Sequence, residues 1–177
     1  MGEEYVSGIE RRRREKEQFF REHPRSPVAP EERADLSLSY YPVDADYRFV
    51  VALHEHDDPD TVSVETTTGE VREYRQWGEF VVELEGESVA IQAYRGDPDE
   101  ERLWVPFRDA TSGDETYGAG RYIDLEPEDR SGDGRWVLDF NEAYNPTCAY
   151  AEDYSCPLPP AENWLDVAIE AGERTPH

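Results

Sequence analysis

The chain has 177 residues and a mass of 20.4 kDa, and its 42 acidic residues against 18 Lys and Arg give a formal net charge of −24 at pH 7. Affinity for phosphate backbones and anionic lipids grows with the number of cationic contacts, so this charge argues against unassisted binding to nucleic acid or to a membrane surface. Hydrophobic residues make up 37% of the chain, which is enough for a packed core in one domain or in one domain with an arm.

The basic residues are almost all arginine, because Lys16 is the only lysine among the 18. Abundant acid, scarce lysine and a single methionine resemble the composition of haloarchaeal proteins, whose carboxylate surfaces repel each other unless salt screens them. No apolar run approaches the roughly 20 residues that span a bilayer, and the N-terminus carries neither a basic leader nor an apolar signal core. We therefore expect a cytoplasmic protein without membrane contact.

The first 30 residues predict a helical arm followed by a proline-rich strap. The stretch from Glu3 to Glu22 is highly charged and carries acid–base pairs four residues apart, which favour a solvated helix. These pairs are Glu10–Arg14, Arg11–Glu15 and Arg13–Glu17. The run Arg11 to Arg14 therefore indicates a solvated face, or alternatively a basic patch for an acidic partner. Prolines 24, 27 and 30 then predict an extended strap, and we place a β-rich domain at residues 31–177.

Beyond Tyr47 the hydrophobic pattern changes to a period of two, which is typical of strands. Alternating apolar residues cover six stretches: 47–53, 62–64, 80–84, 89–93, 103–107 and 136–140. Polar turns separate them, and helical segments do not intervene. The pattern predicts a mostly β fold, an antiparallel meander that forms a barrel or a sandwich, with the N-terminal helix attached.

After Phe140 the alternation stops, and residues 141–163 form a long irregular loop rich in Pro, Asn, Tyr and Cys. Structureless loops longer than about 12 to 15 residues are uncommon in compact domains and are often functional. Alternation resumes at residues 164–169, which predict a last short strand before an acidic tail.

Three segments carry a resemblance to a known family: RLWVPFRDATSGDETYGAGRYIDLE, WVLDFNEAYNPTCAY and CPLPPAENWLDVAIEAGE. They resemble the signature segments of Domain of Unknown Function 1684, to which no activity, cofactor or substrate is assigned. The resemblance implies a functional or structural centre in residues that match those segments. These residues are Thr116, Tyr117, Arg121, Asp139, Asn141, Asn145, Cys148, Cys156 and Asn163.

Arg121 is the first candidate for chemistry, because strand alternation places it on the core side with Ile123 and Leu125. A guanidinium that points inward keeps its charge and must meet a carboxylate, carbonyls or a bound anion. Asp139 is a candidate partner from the neighbouring hydrophobic stretch. Two interpretations follow: a buried ion pair that fixes the loop, or an anion or carboxylate ligand held by Arg121.

Tyrosines and asparagines of the long loop suggest a second kind of site. Asn141 and Asn145 flank Tyr144, and such Asn residues commonly bond nearby backbone and shape turns. Alternatively, Tyr117, Tyr144 and Tyr150 supply aromatic walls while the two amides orient a small polar or anionic ligand.

Cys148 and Cys156 lie eight positions apart across this loop. They are packed or disulfide-linked residues, a nucleophile or redox pair, or part of a metal site. The absence of C-x-x-C spacing and of histidine in the loop argues against zinc. His54 and His56, with Asp58 behind them, have the spacing to hold a divalent metal if a third ligand such as His23 joins them, but a solvated turn is the favoured interpretation in so acidic a chain. We therefore predict no metal site.

Three functions remain open on the sequence alone. The first is a binding module for a small polar or anionic molecule in a pocket under the 141–163 loop. The second is an enzyme acting on a small carboxylate- or phosphate-bearing substrate, with Cys148 or Asp139 as the reactive group. The third is a protein-interaction or homo-oligomerisation domain that uses the arm. The sequence contains none of the common motifs of nucleotide-binding proteins and hydrolases, and no other motif indicates a cofactor. The cofactor is therefore unknown.

We predict that the protein loses stability when salt is withdrawn. The Debye length lengthens from roughly 3 Å at 1 M to roughly 10 Å at 0.1 M salt, so unscreened carboxylates then repel each other over longer distances. Denaturant unfolding at a series of KCl concentrations should show a free energy of unfolding that falls as KCl is removed. A free energy of unfolding that does not depend on KCl concentration would contradict the prediction.

Overall fold

The computed structural model describes residues 2–151 and 154–175, which form a mostly β fold with one N-terminal helix. Helix α1 spans Gly2–Glu22, with acidic residues in its first turn and Arg21 in its last, as the helix dipole favours. This confirms the predicted helix. Of the three expected i,i+4 pairs only Arg11–Glu15 forms, at 3.9 Å, because Arg13 turns toward the body of the protein.

Eight strands are formed by the described residues. They are β1 Arg48–Val51, β2 His54–Glu55, β3 Thr61–Glu65, β4 Val71–Leu84, β5 Glu87–Arg95, β6 Leu103–Phe107, β7 Arg121–Leu125 and β8 Trp136–Asp139. All pairings between them are antiparallel, as the short polar turns predict. In the described part of the chain no helix is long and apolar enough to cross a bilayer.

The strands form two sheets. The larger has six strands in the order β2-β4-β5-β6-β7, with β3 also paired to β4, and the smaller contains β1 and β8. Strand β4 has 14 residues, so it accommodates β3 on its first half and β2 beyond a bulge at Gln76 and Gly78. Within residues 2–151 and 154–175 the strand path does not close, so the barrel alternative is not found.

Both sheets contribute to one hydrophobic core. Phe140, which follows β8, packs edge-on against Phe49 of β1 at 5.9 Å and against Phe107 of β6 at 5.6 Å between ring centroids. The inner face of the larger sheet adds Phe80, Val82, Ile91, Leu103, Val105, Ile123 and Leu125. The apolar side chains that alternate along the sequence are therefore the ones that bury the inner face.

The strand predicted at 164–169 is not formed. This segment makes only two backbone hydrogen bonds to the end of β6 and its continuation, from Leu165 N to Arg108 O at 2.8 Å and from Ala110 N to Val167 O at 2.9 Å. At the last residue of this segment and just beyond it, the carbonyls of Ile169 and Ala171 accept hydrogen bonds from the Arg121 guanidinium. At Ile169 a side chain therefore takes an acceptor that a neighbouring strand would need.

Helix α1 is attached to the body largely by polar contacts. Its buried apolar residues are Ile9 and Phe20. Between them, Lys16 Nζ lies 2.8 Å from a carboxylate oxygen of Glu173, a residue with no exposed surface. Glu173 also accepts hydrogen bonds from the Asn145 N–H and the Tyr150 hydroxyl. One buried carboxylate thus joins the helix, the long loop and the C-terminal segment.

We predict that Lys16→Met lowers the free energy of unfolding by about 2 to 3 kcal/mol, because it leaves a buried carboxylate without its cation. This loss is somewhat smaller than the roughly 3 to 5 kcal/mol that breaking a fully buried ion pair costs, because 26% of the Lys16 side chain is exposed. Urea unfolding at a fixed high KCl concentration measures this change in the free energy of unfolding. Arg14→Met, an exposed change on the same helix, is the control, and equal effects of the two substitutions would contradict the prediction.

Candidate functional site

Arg121 is fully buried, and the protein itself supplies acceptors for both of its terminal nitrogens, whereas its Nε has no hydrogen-bond partner among the described residues. Its Nη2 donates to the Ile169 carbonyl at 2.9 Å, its Nη1 donates to the Ala171 carbonyl, and Nη2 lies 3.5 Å from an Asp109 carboxylate oxygen. The expectation that it points into the core is confirmed. Its carboxylate partner is Asp109 rather than Asp139, so the predicted pairing was wrong.

Asp109 is a site residue that the sequence analysis missed. Its carboxylate accepts hydrogen bonds from the Thr111 hydroxyl at 2.9 Å and from the Ile169 N–H at 2.6 Å, in addition to the nearby guanidinium. It continues the core-facing alternation of β6 two residues after Phe107, which pairs with Arg121 in the neighbouring strand. That alternation is the sequence signal that would have identified it.

Asp139 and Asn141 hold the first turn of the helix and the segment before β1. The Tyr5 hydroxyl donates to Asp139 at 2.6 Å, and burial together with this carboxylate raises the pKa of Tyr5. The Asn141 amide accepts from Asp44 N at 3.0 Å and donates to Asp44 O at 2.7 Å. Asn141 thereby replaces a missing strand neighbour for Asp44.

Asn145 and Asn163 clamp the two ends of the long loop. The Asn163 side chain is fully buried and accepts from Gln92 N at 2.8 Å while donating to the carbonyls of Gln92 and Pro106 at 2.9 and 2.7 Å. The Asn145 amide donates to Arg174 O at 3.0 Å. These side chains bond backbone that no strand satisfies, and so fix where the loop lies.

The two cysteines are free, buried and adjacent. Cys156 Sγ accepts the Cys148 N–H at 3.3 Å, and the Tyr117 hydroxyl lies 3.4 Å from Cys148 Sγ. Burial raises the pKa of the Cys148 thiol to about 11, so it is protonated at neutral pH. Cys148 lines a broad groove of about 960 Å³ between the proline strap and the loop.

The clearest small-molecule pocket lies on the outer face of the larger sheet. It has a volume of about 310 Å³, and the long loop contributes Tyr144 and Pro157 to its walls. The sheet contributes side chains that alternate with core residues along β4 to β7. They are Arg72, Tyr74, Tyr94, Trp104, Tyr122 and Asp124. Of the predicted site residues, Tyr144 alone is among its lining residues.

Trp104 is the centre of the aromatic wall. Its ring centroid lies 4.6 Å from that of Tyr74, 5.2 Å from Tyr122 and 5.9 Å from Tyr94. Two of the three tyrosine hydroxyls are hydrogen-bonded, since Tyr94 donates to Glu162 at 2.8 Å and Tyr122 donates to Pro157 O. These contacts keep the rings in place, so the wall is formed without a ligand. The sequence did not lead to a prediction of this aromatic wall, because only the core-facing positions of each strand were considered.

Two arginines border this pocket in different electrostatic states. Arg102 is surrounded by carboxylates, at 3.0 Å from Asp124, 3.7 Å from Glu126 and 3.8 Å from Glu100. Arg72 is exposed and donates to the Ser155 carbonyl at 2.9 Å, with no carboxylate in ion-pair contact among residues 2–151 and 154–175. Arg72 is therefore the cation available to an anionic group at the pocket mouth.

The histidine turn does not gather a metal site. His56 Nε2 lies 2.9 Å from the Gln92 side-chain oxygen. Within the described residues, no group of three or more His, Cys, Asp or Glu side chains is placed to hold a metal ion.

Comparisons with known proteins place the chain in a family. No curated protein matches it. The solution NMR structure of an uncharacterized protein from Haloarcula marismortui is similar, with a TM-score of 0.74 and 44% sequence identity over 98% of this chain and 95% of that chain. Residues 36–174 match the model of a family described as protein of unknown function, and the chain belongs to that family, DUF1684.

Proposed function

We propose that this protein is a binding module for a small, partly flat molecule that carries an anionic group, held in the outer-face pocket beneath the 141–163 loop. The observation that carries the proposal is the pocket itself: a preformed aromatic wall around Trp104 with the guanidinium of Arg72 at its mouth. Concave sites lined by aromatic rings and a few placed polar groups are the usual form of small-molecule sites.

The size of the pocket limits the ligand. A volume of about 310 Å³ lies at the lower end of the range of roughly 300 to 1,000 Å³ for ligand sites, so we infer a metabolite rather than a large cofactor. The ring of such a ligand would lie against Trp104 or Tyr144. Its carboxylate or phosphate would meet the planar fork of Arg72, which suits two-point recognition of either group.

Most of the site residues predicted from the sequence do not line this pocket but hold the segments that form its walls. Asn145 and Asn163 fix the ends of the loop that carries Tyr144 and Pro157, and Arg121 fixes the segment that follows the loop. Because these side chains are occupied by protein partners, we assign them the role of holding the walls. Tyr144 is the one to which we assign contact with the ligand.

The enzyme alternative has less support. Cys148 is a protonated thiol at neutral pH, and Asp139 is bonded to Tyr5 and to the Asn141 N–H. Nucleophilic catalysis needs an activated thiolate or a carboxylate that reaches substrate. We therefore favour binding. The haloarchaeal, salt-adapted and cytoplasmic setting is part of this proposal, and the similar protein from Haloarcula marismortui supports it.

We predict that Arg72→Gln abolishes retention of the ligand while leaving the fold intact. The substitution removes the cation at the pocket mouth, and its side chain is exposed, so stability should change little. Purified protein is incubated with a small-molecule extract of a high-salt host, washed, and analysed by mass spectrometry under native and denaturing conditions. The wild type should retain an added mass that Arg72→Gln loses by about tenfold or more.

Arg75→Gln is the matched control, because Arg75 lies on the same strand but on the opposite face from Arg72. It should retain the ligand as the wild type does. A second variant, Trp104→Leu, should also lose retention, whereas Trp164→Leu at an exposed position should not. No retained mass in the wild type, or equal loss in Arg72→Gln and Arg75→Gln, would contradict the proposal.

A further inference from the structure

The face of α1 that meets the body is cationic. Ile9, Arg12, Arg13 and Lys16 occupy positions i, i+3, i+4 and i+7, which lie on one side of a helix. Ile9 is 1% exposed, so this side faces inward. A helix normally buries apolar residues there, yet three of the four positions carry positive charge. Like charges at these spacings repel each other, so an inward cationic face needs negative charge beside it.

These three cations border one cavity of about 220 Å³ between α1 and the body. Its wall on the body side is formed by Tyr40, Asn141, Glu142, Ala143 and Tyr144. The cavity is separate from the aromatic pocket, although Tyr144 contributes to both. Its lining carries three cations and one carboxylate, that of Glu142, so it is basic overall in a chain whose net charge is −24.

The carboxylates nearby do not neutralise all three cations. Arg12 pairs with Glu142 at 3.2 Å, and Lys16 pairs with Glu173 at 2.8 Å. Arg13 instead donates to two carbonyls, those of Tyr41 at 2.8 Å and Asn141 at 3.3 Å. In the described part of the chain it makes no ion pair with a carboxylate. Arg13 is therefore a half-buried cation at the cavity without a direct carboxylate contact in the described part of the chain, and Glu142, Glu10 and Asp139 act on its charge only from a longer distance.

Two buried donors of the same wall also lack partners. Arg13 Nε and the Tyr40 hydroxyl have no hydrogen-bond partner among the described residues. The Arg13 side chain lies over the Tyr40 ring, with Cζ 4.5 Å from the ring centroid, so the two unused groups belong to one contact. Burial lowers the pKa of Arg13, which means that its charged form is destabilised where it stands. An acceptor with negative charge would offset both costs.

We propose that this cavity is a binding site for a phosphate group, held by Arg12, Arg13 and Lys16 with Tyr40 at its edge. A tetrahedral oxyanion offers several acceptor oxygens to donors that converge from different side chains. Its charge also relieves the repulsion along α1. The site links the helix to the body through the ligand, and it stands on observations independent of the aromatic pocket, so either proposal can fail alone.

The test is calorimetric titration of the full chain with inorganic phosphate at constant ionic strength in KCl. We expect saturable binding by the wild type and affinity weaker by about tenfold or more for Arg13→Gln, which removes the charge without a partner. Arg14→Gln makes the same charge change on the exposed side of α1 and should bind as the wild type does. Tyr40→Phe should weaken binding about threefold or more without loss of stability, since its hydroxyl has no internal partner to lose.

A phosphomonoester, glycerol 3-phosphate, is titrated beside inorganic phosphate. Equal affinities would identify the free anion as the ligand, and tighter binding of the ester would identify a larger phosphorylated molecule. Absence of saturable binding of both by the wild type would overturn the proposal. Equal weakening by Arg13→Gln and Arg14→Gln would also overturn it, because it would mean that net charge rather than the cavity attracts phosphate.

Discussion

The buried guanidinium of Arg121 is the contact on which the arrangement of the chain outside the sheets depends. It lies at the start of β7, beside Asp109, and takes the carbonyls of Ile169 and Ala171 as acceptors. A charge with no exposure is costly unless an acid compensates it and acceptors meet its donors, and here both terminal nitrogens of the guanidinium have acceptors while Nε has none among the described residues. The C-terminal segment supplies those acceptors, so the core and the end of the chain are held to each other.

That contact has consequences at a distance along the chain. Fixing Ala171 places Glu173 two residues later, where its carboxylate meets Lys16, the Asn145 N–H and the Tyr150 hydroxyl. The C-terminal segment therefore connects the N-terminal helix to the long loop, in addition to the direct contacts that Tyr5 makes with Asp139 of β8 and Asn163 makes with Gln92 of β5. Hence the family's signature residues are mostly buried polar connections, and the groups placed to meet a ligand are the aromatic residues on the outer face.

The sequence predicts the regular parts of this fold well. Leu103, Val105 and Phe107 alternate in the sequence and bury the inner face of β6 at the residues expected, because period-two burial is a local property of a strand. The charged helix is also local. Failures occur where side chains replace backbone partners. The 164–169 segment alternates like a strand, but Arg121 takes the carbonyl of its last residue, Ile169, and that of Ala171 beyond it.

The candidate pocket could be predicted only in part. Its place under the 141–163 loop and the role of Tyr144 follow from the loop's length and composition. The wall that the sheet contributes could not be predicted, because Trp104 and Tyr122 alternate with core residues along their strands. Positions of that kind are expected to face solvent. Only the folded loop, which covers them, shows that this side is half-buried. The inward position of Asp109 could have been predicted, since this residue continues the core-facing alternation that ends at Phe107.

Hydrogen–deuterium exchange of Arg121→Lys, compared with the wild type at high KCl, tests most directly whether this guanidinium holds the outer segments. Lysine keeps the positive charge but loses the fork that reaches two carbonyls. The account predicts faster exchange together in α1, at Asn145, and at Glu173 and Arg174, while Ile91 and Ala93 in the central strands keep their protection. Faster exchange confined to residues beside Arg121, with α1 and the loop unchanged, would contradict it.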